Sequence, residues 1–230
     1  MTETYDHGST PDSTYDRDAD RERLLHAALA HVAFDGWSEA SLKAAARDLG
    51  IPIERALNAF PGGATELVAF HSEMADRDML AALGREPLSE MRVRDKAALA
   101  IRLRLEANIR HREAIRSGLT YLMLPQNAAL AAKLLYRTVD AIWYAIGDRS
   151  TDFNFYTKRG LLAAVYSATL FYWLGDKSEG CSATWSFLDR RIDEVMRVPK
   201  ALGKLGKLTG KLPLPRRPFK RRTRTSGARG

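Results

Sequence analysis

The five histidines and one cysteine of this 230-residue chain are its most chemically versatile side chains. His7, His26, His31, His71 and His111 are scattered, and none forms the His-Glu-x-x-His pair that sets two imidazoles on one helix face. His26 and His31 lie five apart, off the i,i+4 spacing that brings two ligands together. His71-Ser72-Glu73 reads as a surface feature rather than a ligand set. No Glu-x-x-His occurs, so a di-iron carboxylate site is unsupported, and Gly-rich phosphate loops are missing as well. Cys181 stands alone, which rules out an intrachain disulfide and agrees with a reducing compartment. No histidine is near it in sequence, and it reads as a helix-start or core residue. Acids and bases are plentiful, but nothing organises them. The chain is predicted to be non-catalytic, with no metal and no cofactor.

Binding chemistry is more evident. Trp143, Tyr144, Phe153, Phe155, Tyr156, Tyr166, Phe171, Tyr172 and Trp173 crowd 31 residues. Aromatics at helical spacing remove large apolar areas from water and usually form core. The same inventory can line a cavity for a long apolar ligand, and the residues alone leave both readings open. Trp143, Tyr144, Tyr166, Leu170 and Trp173 are the candidate lining. Within Asp152-Phe153-Asn154-Phe155-Tyr156-Thr157-Lys158-Arg159, the three aromatics are too closely spaced to face one core. At least one should approach solvent beside two cations, a composition suited to protein contact; local packing against a neighbouring helix is the alternative.

The net charge of +8 divides unevenly. From Arg197 to Gly230 there are 12 basic residues and no acidic one, leaving 24 basic against 28 acidic residues, a net of −4, in the rest. An anionic surface would therefore be met by the C-terminal segment. At about 100° per residue, Val198, Leu202, Leu205, Leu208 and Leu212 share an arc of roughly 120°. Lys200, Lys204, Lys207 and Lys211 fall on the opposite side. Gly203, Gly206 and Gly210 lower helix propensity, so the segment should be marginal in water and helical where an interface receives its leucines. Arg216, Arg217, Lys220, Arg221, Arg222 and Arg224 add attraction to anionic headgroups. A basic disordered tail is the alternative.

Helices must position these groups, because strand-like alternation is scarce. The first is expected over Asp20 to Phe34, closed by Asp35-Gly36. A second, capped by Ser38 or Ser41, runs Leu42 to Leu49, and a third runs from Pro52 to Phe60. A fourth follows Pro61-Gly62-Gly63 to Leu83. Longer helices are expected over Met91 to Ser117, Pro125 to Asp148, Asn154 to Leu174 and Ser182 to Arg197. No run of 18 apolar residues occurs, as a membrane-spanning helix would need. Residues 1–19 are acidic and lack an apolar core, so they read as a disordered leader rather than a targeting segment.

Phe34-Asp35-Gly36-Trp37, Ser41-Leu42-Lys43-Ala44-Ala45-Ala46, Leu49-Gly50-Ile51 and Ala56-Leu57-Asn58-Ala59-Phe60-Pro61 resemble the helix-turn-helix of the TetR repressor family. Its DNA chemistry is poorly represented. The third helix offers Glu54, Arg55 and Asn58 with one cation, and no basic residue follows Phe60 closely. Nucleic acid is therefore not the expected partner.

Trp143-Tyr144, Gly147 to Arg159 and Thr184 to Ile192 resemble the ubiquinone-biosynthesis accessory family, a similarity that extends over about residues 20–200. The resemblance implies an all-α, TetR-like helical bundle with a degenerate helix-turn-helix and a C-terminal amphipathic helix. It further implies an apolar pocket for an isoprenoid or quinone-type lipid and association with the di-iron demethoxyubiquinone hydroxylase. The partner patch would fall on Asp152, Asn154, Phe155, Tyr156 and Arg159; Phe155 takes the place of a tryptophan in mitochondrial members. The expected organisation is a leader (1–19), a helix-turn-helix domain (20–63), a lipid- and partner-binding domain (64–196), a membrane-contact helix (197–212) and a basic tail (213–230). The expected location is the bacterial cytoplasm, peripheral at the inner face of the cytoplasmic membrane, with monomer and homodimer both open. A TetR-type regulator with a lipid effector is the competing reading.

Overall fold

The computed structural model describes residues 13–147 and 153–209, with side chains described over 17–147 and 156–195. Among these residues the chain forms α1 (Ser13–Asp35), α2 (Glu39–Leu49), α3 (Ile53–Ala59), α4 (Gly63–Leu83), α5 (Val93–Ala107), α6 (Arg112–Leu122), α7 (Ala128–Ala145), α8 (Phe153–Gly175) and α9 (Ser182–Thr209), with no strand.

The first three helices are set by short-range chemistry. Gly36 adopts a left-handed conformation (φ 66°) and donates its N–H to Val32 O at 3.1 Å, closing α1. Ser38 caps α2 by accepting from the Ser41 N–H, while the Ser41 hydroxyl accepts from the Ser38 N–H. Gly50, also left-handed, ends α2. Pro52 then sits immediately before α3, where its missing N–H costs nothing.

Three expectations are corrected. The first helix begins at Ser13, inside the acidic segment expected to be disordered. Asp20 explains its anchoring: it is buried and accepts from Arg55 Nε of α3 at 2.5 Å. The helix expected over Met91 to Ser117 is two helices. Buried Asn108 donates its side-chain N–H to Arg104 O at 2.9 Å, capping α5, and a short 3-10 turn over Ile109–His111 redirects the chain. Thirdly, α9 runs unbroken from Ser182 to Thr209, so the segment 197–209 continues a helix rather than starting one. Asp176 secures the start of α9, accepting from Ser178 N at 2.8 Å, Thr184 N at 2.9 Å and Thr184 Oγ1 at 2.5 Å. Burial opposes its charge, but these bonds more than offset that and hold the carboxyl well below the usual carboxylate range.

Two apolar cores form. One gathers Leu24, Leu25, Leu29 and Val32 of α1, Leu42 of α2, Phe60, and Leu67 and Val68 of α4. The other gathers Met79 and Leu83 of α4, Ile101 and Leu105 of α5, Ile142 of α7, Val165 and Trp173 of α8, and Leu188 of α9. The first half of α4 therefore belongs to one core and the second half to the other. Leu134 and Val139 divide α7 in the same way. A boundary at residues 63 and 64 is not a packing boundary.

Trp37 ties the loop between α1 and α2 to α6. Its indole Nε1 donates to Ala114 O at 2.9 Å, and the ring lies over Gly118, where a Cβ would come within 3.0 Å of Nε1. Gly118 is thus a close-approach residue inside α6, which runs past the helix end expected at Ser117. Gly118→Val should displace the indole and lower stability by about 1–3 kcal/mol through overpacking. Urea denaturation measures it, and a midpoint equal to wild type would show that the contact is slack.

Candidate functional site

A cavity of about 210 Å³ lies at the seam between the two cores. Trp37, Val68 of α4 and Leu134 of α7 supply wall from the first core, while Tyr166 and Leu170 of α8 supply it from the second. Ile115, Leu119, Leu122 and Met123 continue the apolar wall along α6. Met123 and Phe171, both lining residues, are 72% and 55% exposed and form an apolar lip to solvent.

The deep wall is polar. Arg104 of α5 is buried, and its Nε donates to Asp76 Oδ1 at 2.8 Å. Its Nη1 donates to the Tyr166 hydroxyl at 2.5 Å, and its Nη2 to Ser72 Oγ at 3.1 Å. Thr138 of α7 donates its hydroxyl to Asp76 at 2.9 Å. Burial opposes the guanidinium charge, but Tyr166 and Asp76 more than offset it, so Arg104 remains cationic. Burial also pushes the Tyr166 phenol above its ordinary range, so it stays protonated. Beside them His71, stacked obliquely at 5.3 Å on Trp37, is lowered to about 3 by burial, by Arg104 and by His111.

A second space, of about 380 Å³, lies between α5, α7, α8 and α9, lined by Ala97, Trp143, Ile146, Lys158, Leu162 and Ile192 among others. Among the described residues it has no comparable buried polar wall; Arg94 and Lys158 in its lining are engaged with Asp193 at 2.5 Å and with the Trp143 ring at 5.7 Å.

Residues 128–199, from α7 into α9, match the family model described as COQ9. The human mitochondrial ubiquinone biosynthesis protein COQ9 is 31% identical over 201 residues, covering 84% of this chain and 63% of that protein. Its Drosophila melanogaster counterpart is 32% identical, over 84% of this chain and 60% of its own length. The chain is a homologue of the COQ9 ubiquinone-biosynthesis proteins. It spans less than two thirds of the length of either relative. A TetR transcriptional regulator from Nitrosomonas europaea superposes with a TM-score of 0.65 at 20% identity, over 78% of this chain and 99% of that one. The TetR-like fold therefore holds.

The residues expected from the COQ9 resemblance separate on the structure. Of the pocket set, Tyr166 and Leu170 line the seam cavity, and Trp143 lines the second space. Tyr144 and Trp173 line neither. Tyr144 is 78% exposed, and Trp173 is fully buried with the Arg112 guanidinium 4.6 Å above its ring. Of the partner set, Tyr156 is exposed, as a docking residue requires. Arg159 is buried against Asp140 at 2.7 Å, which makes it a brace between α8 and α7 rather than an outward cation. Asp152 lies outside the described residues, and the side chains of Asn154 and Phe155 lie outside the described ones. The same is true of the side chains of Val198, Leu202, Lys204, Leu205, Lys207 and Leu208, and of Lys211 and Leu212 altogether. The helix-turn-helix keeps its form, but Arg55, the only cation of α3, is ion-paired with Asp20.

Sequence reasoning missed the polar wall. Arg104, Asp76, Ser72 and Thr138 come from three helices, and no local spacing joins them. His71 was read as a surface residue, yet it lines the cavity. The single available hint was a charged residue, Arg104, on the otherwise apolar face of Ala97, Ala100, Ile101 and Leu105.

The His71 environment fixes a pH dependence. The unfolded chain takes up a proton at His71 below about 6.5 and the folded chain only near 3, so folding loses stability as pH falls between those values. NMR should show a neutral His71 ring throughout the ordinary imidazole range. His71→Gln should flatten the corresponding fall in urea midpoint. A ring that titrates near 6.5 would contradict the buried, Arg104-facing placement.

Proposed function

We propose that this protein serves ubiquinone biosynthesis as a non-catalytic accessory that holds an isoprenoid or quinone-intermediate lipid in the seam cavity. It presents that lipid to the di-iron demethoxyubiquinone hydroxylase at a membrane surface, on the inner face of a bacterial cytoplasmic membrane. The observation that carries this reading is the seam cavity itself, with an apolar wall, an exposed apolar lip and a buried polar end. Similarity to ubiquinone-biosynthesis proteins over most of the chain supports the choice of ligand.

The cavity, at about 210 Å³, suits a ring and the first part of a chain rather than a whole polyprenyl tail. The remainder would pass Met123 and Phe171. Leaving a bilayer costs a prenyl chain roughly 0.8 kcal/mol per CH₂ unless another apolar surface receives it. A lip close to the membrane would shorten that exposure. The leucine stripe of 198–212 and the cations after it supply the membrane attraction in this reading, and no described helix is long and apolar enough to cross a membrane. Regulation of transcription is disfavoured by the ion pairing of Arg55, which would have to be given up before α3 met a phosphate.

Organic extraction of the purified protein should yield isoprenoid lipid, identified by mass spectrometry. Ala131→Trp, which fills the cavity from α7, should abolish it while leaving the helical circular dichroism intact. Lipid retained at wild-type amounts would place the ligand elsewhere.

Docking is tested separately, because Tyr156 stands outside the cavity. Tyr156→Glu should reduce capture of the hydroxylase by about tenfold or more, as for loss of a buried aromatic anchor, without changing extractable lipid. Unchanged capture would move the docking surface away from the start of α8.

A further inference from the structure

The second space, and not the seam cavity, flanks the point at which α9 leaves the body. It is walled by Ala97 of α5, Trp143 of α7, Ile146, Leu162 of α8, and Ile192 and Val195 of α9. We infer that this space takes one acyl chain of a bilayer glycerolipid, drawn from the membrane that the α9 extension meets. The inference rests on the membrane-contact reading and adds to it a site separate from the seam cavity.

Position is the first argument. Arg94 bonds Asp193 at 2.5 Å while Arg102 lies 5.1 Å over the Trp185 ring, so α5 and α9 run antiparallel. Val93, the first residue of α5, is therefore level with the turn from Ile192 to Val195. Beyond that turn α9 continues to Thr209, about 20 Å further at 1.5 Å per residue. The end of α7 and the start of α8, with Lys158 in the lining, close the same end of the body. Phe171, at the mouth of the seam cavity, lies about 20 Å away along α8.

The chemistry of the wall names the occupant. At about 30 Å³ for each water-sized group, a space of about 380 Å³ has room for roughly ten methylenes, the greater part of one acyl chain. A chain passing from a bilayer to this wall exchanges one apolar surrounding for another, and it covers aliphatic surface that water would otherwise meet. The rim does not select an anion. Arg94 is bonded to both Asp95 and Asp193, and Lys158 lies over the Trp143 ring. The head group therefore stays in the interface, and the chain with its ester is the part recognised. Trp143 supplies the polar contact. Its Nε1 is buried without an acceptor among the described residues, so a small turn of the ring toward an entering ester oxygen gains a hydrogen bond and loses none.

Tryptophan fluorescence of the full chain on phosphatidylglycerol vesicles, with and without phosphatidylcholine carrying dibrominated chains, tests this. Bromine quenches an indole only at close range. Wild type should show a quenched component that Trp143→Phe loses, while both sediment equally with the vesicles. Ala97→Phe and Val195→Phe, which fill the space from α5 and α9, should each abolish that component with the cationic tail and the leucine stripe untouched. Val195 is only partly buried, so its variant decides the matter if Ala97→Phe fails to fold. Equal quenching in wild type and Trp143→Phe, or a Trp143 component that persists in folded Val195→Phe, would overturn the inference and leave membrane contact standing. A component seen with free dibrominated fatty acid but not with the glycerolipid would also overturn it. Failure of wild type to sediment would overturn the membrane reading and this inference together.

Discussion

The buried Arg104–Asp76 pair is the contact on which the arrangement of the second half of the molecule depends. Asp76 comes from α4, Arg104 from α5, Thr138 from α7 and Tyr166 from α8, and all four meet within hydrogen-bonding distance. Apolar packing alone would let these helices slide, since leucine and alanine surfaces tolerate small shifts in register. A cation with specified partners on α4 and α8, whose counter-ion is itself bonded from α7, does not. The cost of desolvating it is recovered only when every partner is in place, which makes the network a test of correct assembly as well as a wall.

That constraint explains why a cavity persists at the seam. The two cores form on opposite halves of α4, and the cavity lies where they meet. Were the junction wholly apolar, small rearrangements would close it. Instead, the polar wall on one side and the Trp37 indole, fixed to Ala114 O, on the other hold it open.

Much of the fold was legible in the sequence. The capping serines, Gly36, Gly50 and the Pro61-Gly62-Gly63 break all act within a few residues, so their chemistry can be read from spacing. Motif resemblance located the family through a segment now seen as α7 to α9. What escaped was decided at long range. Asn108 ends a helix where its buried side chain finds Arg104 O, whereas Gly118 lies within α6 and gives the Trp37 indole its close approach. The candidate site divided in the same way. Tyr166 and Leu170 were found because a pocket-facing aromatic or leucine looks like a core residue, and core residues are periodic. Trp173 has the same periodicity but lies under Arg112, a partner that no sequence pattern announces. Tyr144 occupies an outward helix face that the aromatic count alone did not distinguish. Arg159 resembled a surface cation until Asp140 was seen to receive it.

The way Trp37 is fastened has an evolutionary corollary. Its indole is held by a main-chain carbonyl and by the bare surface of a glycine, not by a side chain that mutation could remove. The pocket wall therefore depends little on what α3 displays. A lineage could exchange every exposed residue on α3, losing or regaining an affinity for nucleic acid, without disturbing the chamber next door. Such insulation would let the face of α3 and the lining of the cavity be altered independently, each inherited without reference to the other.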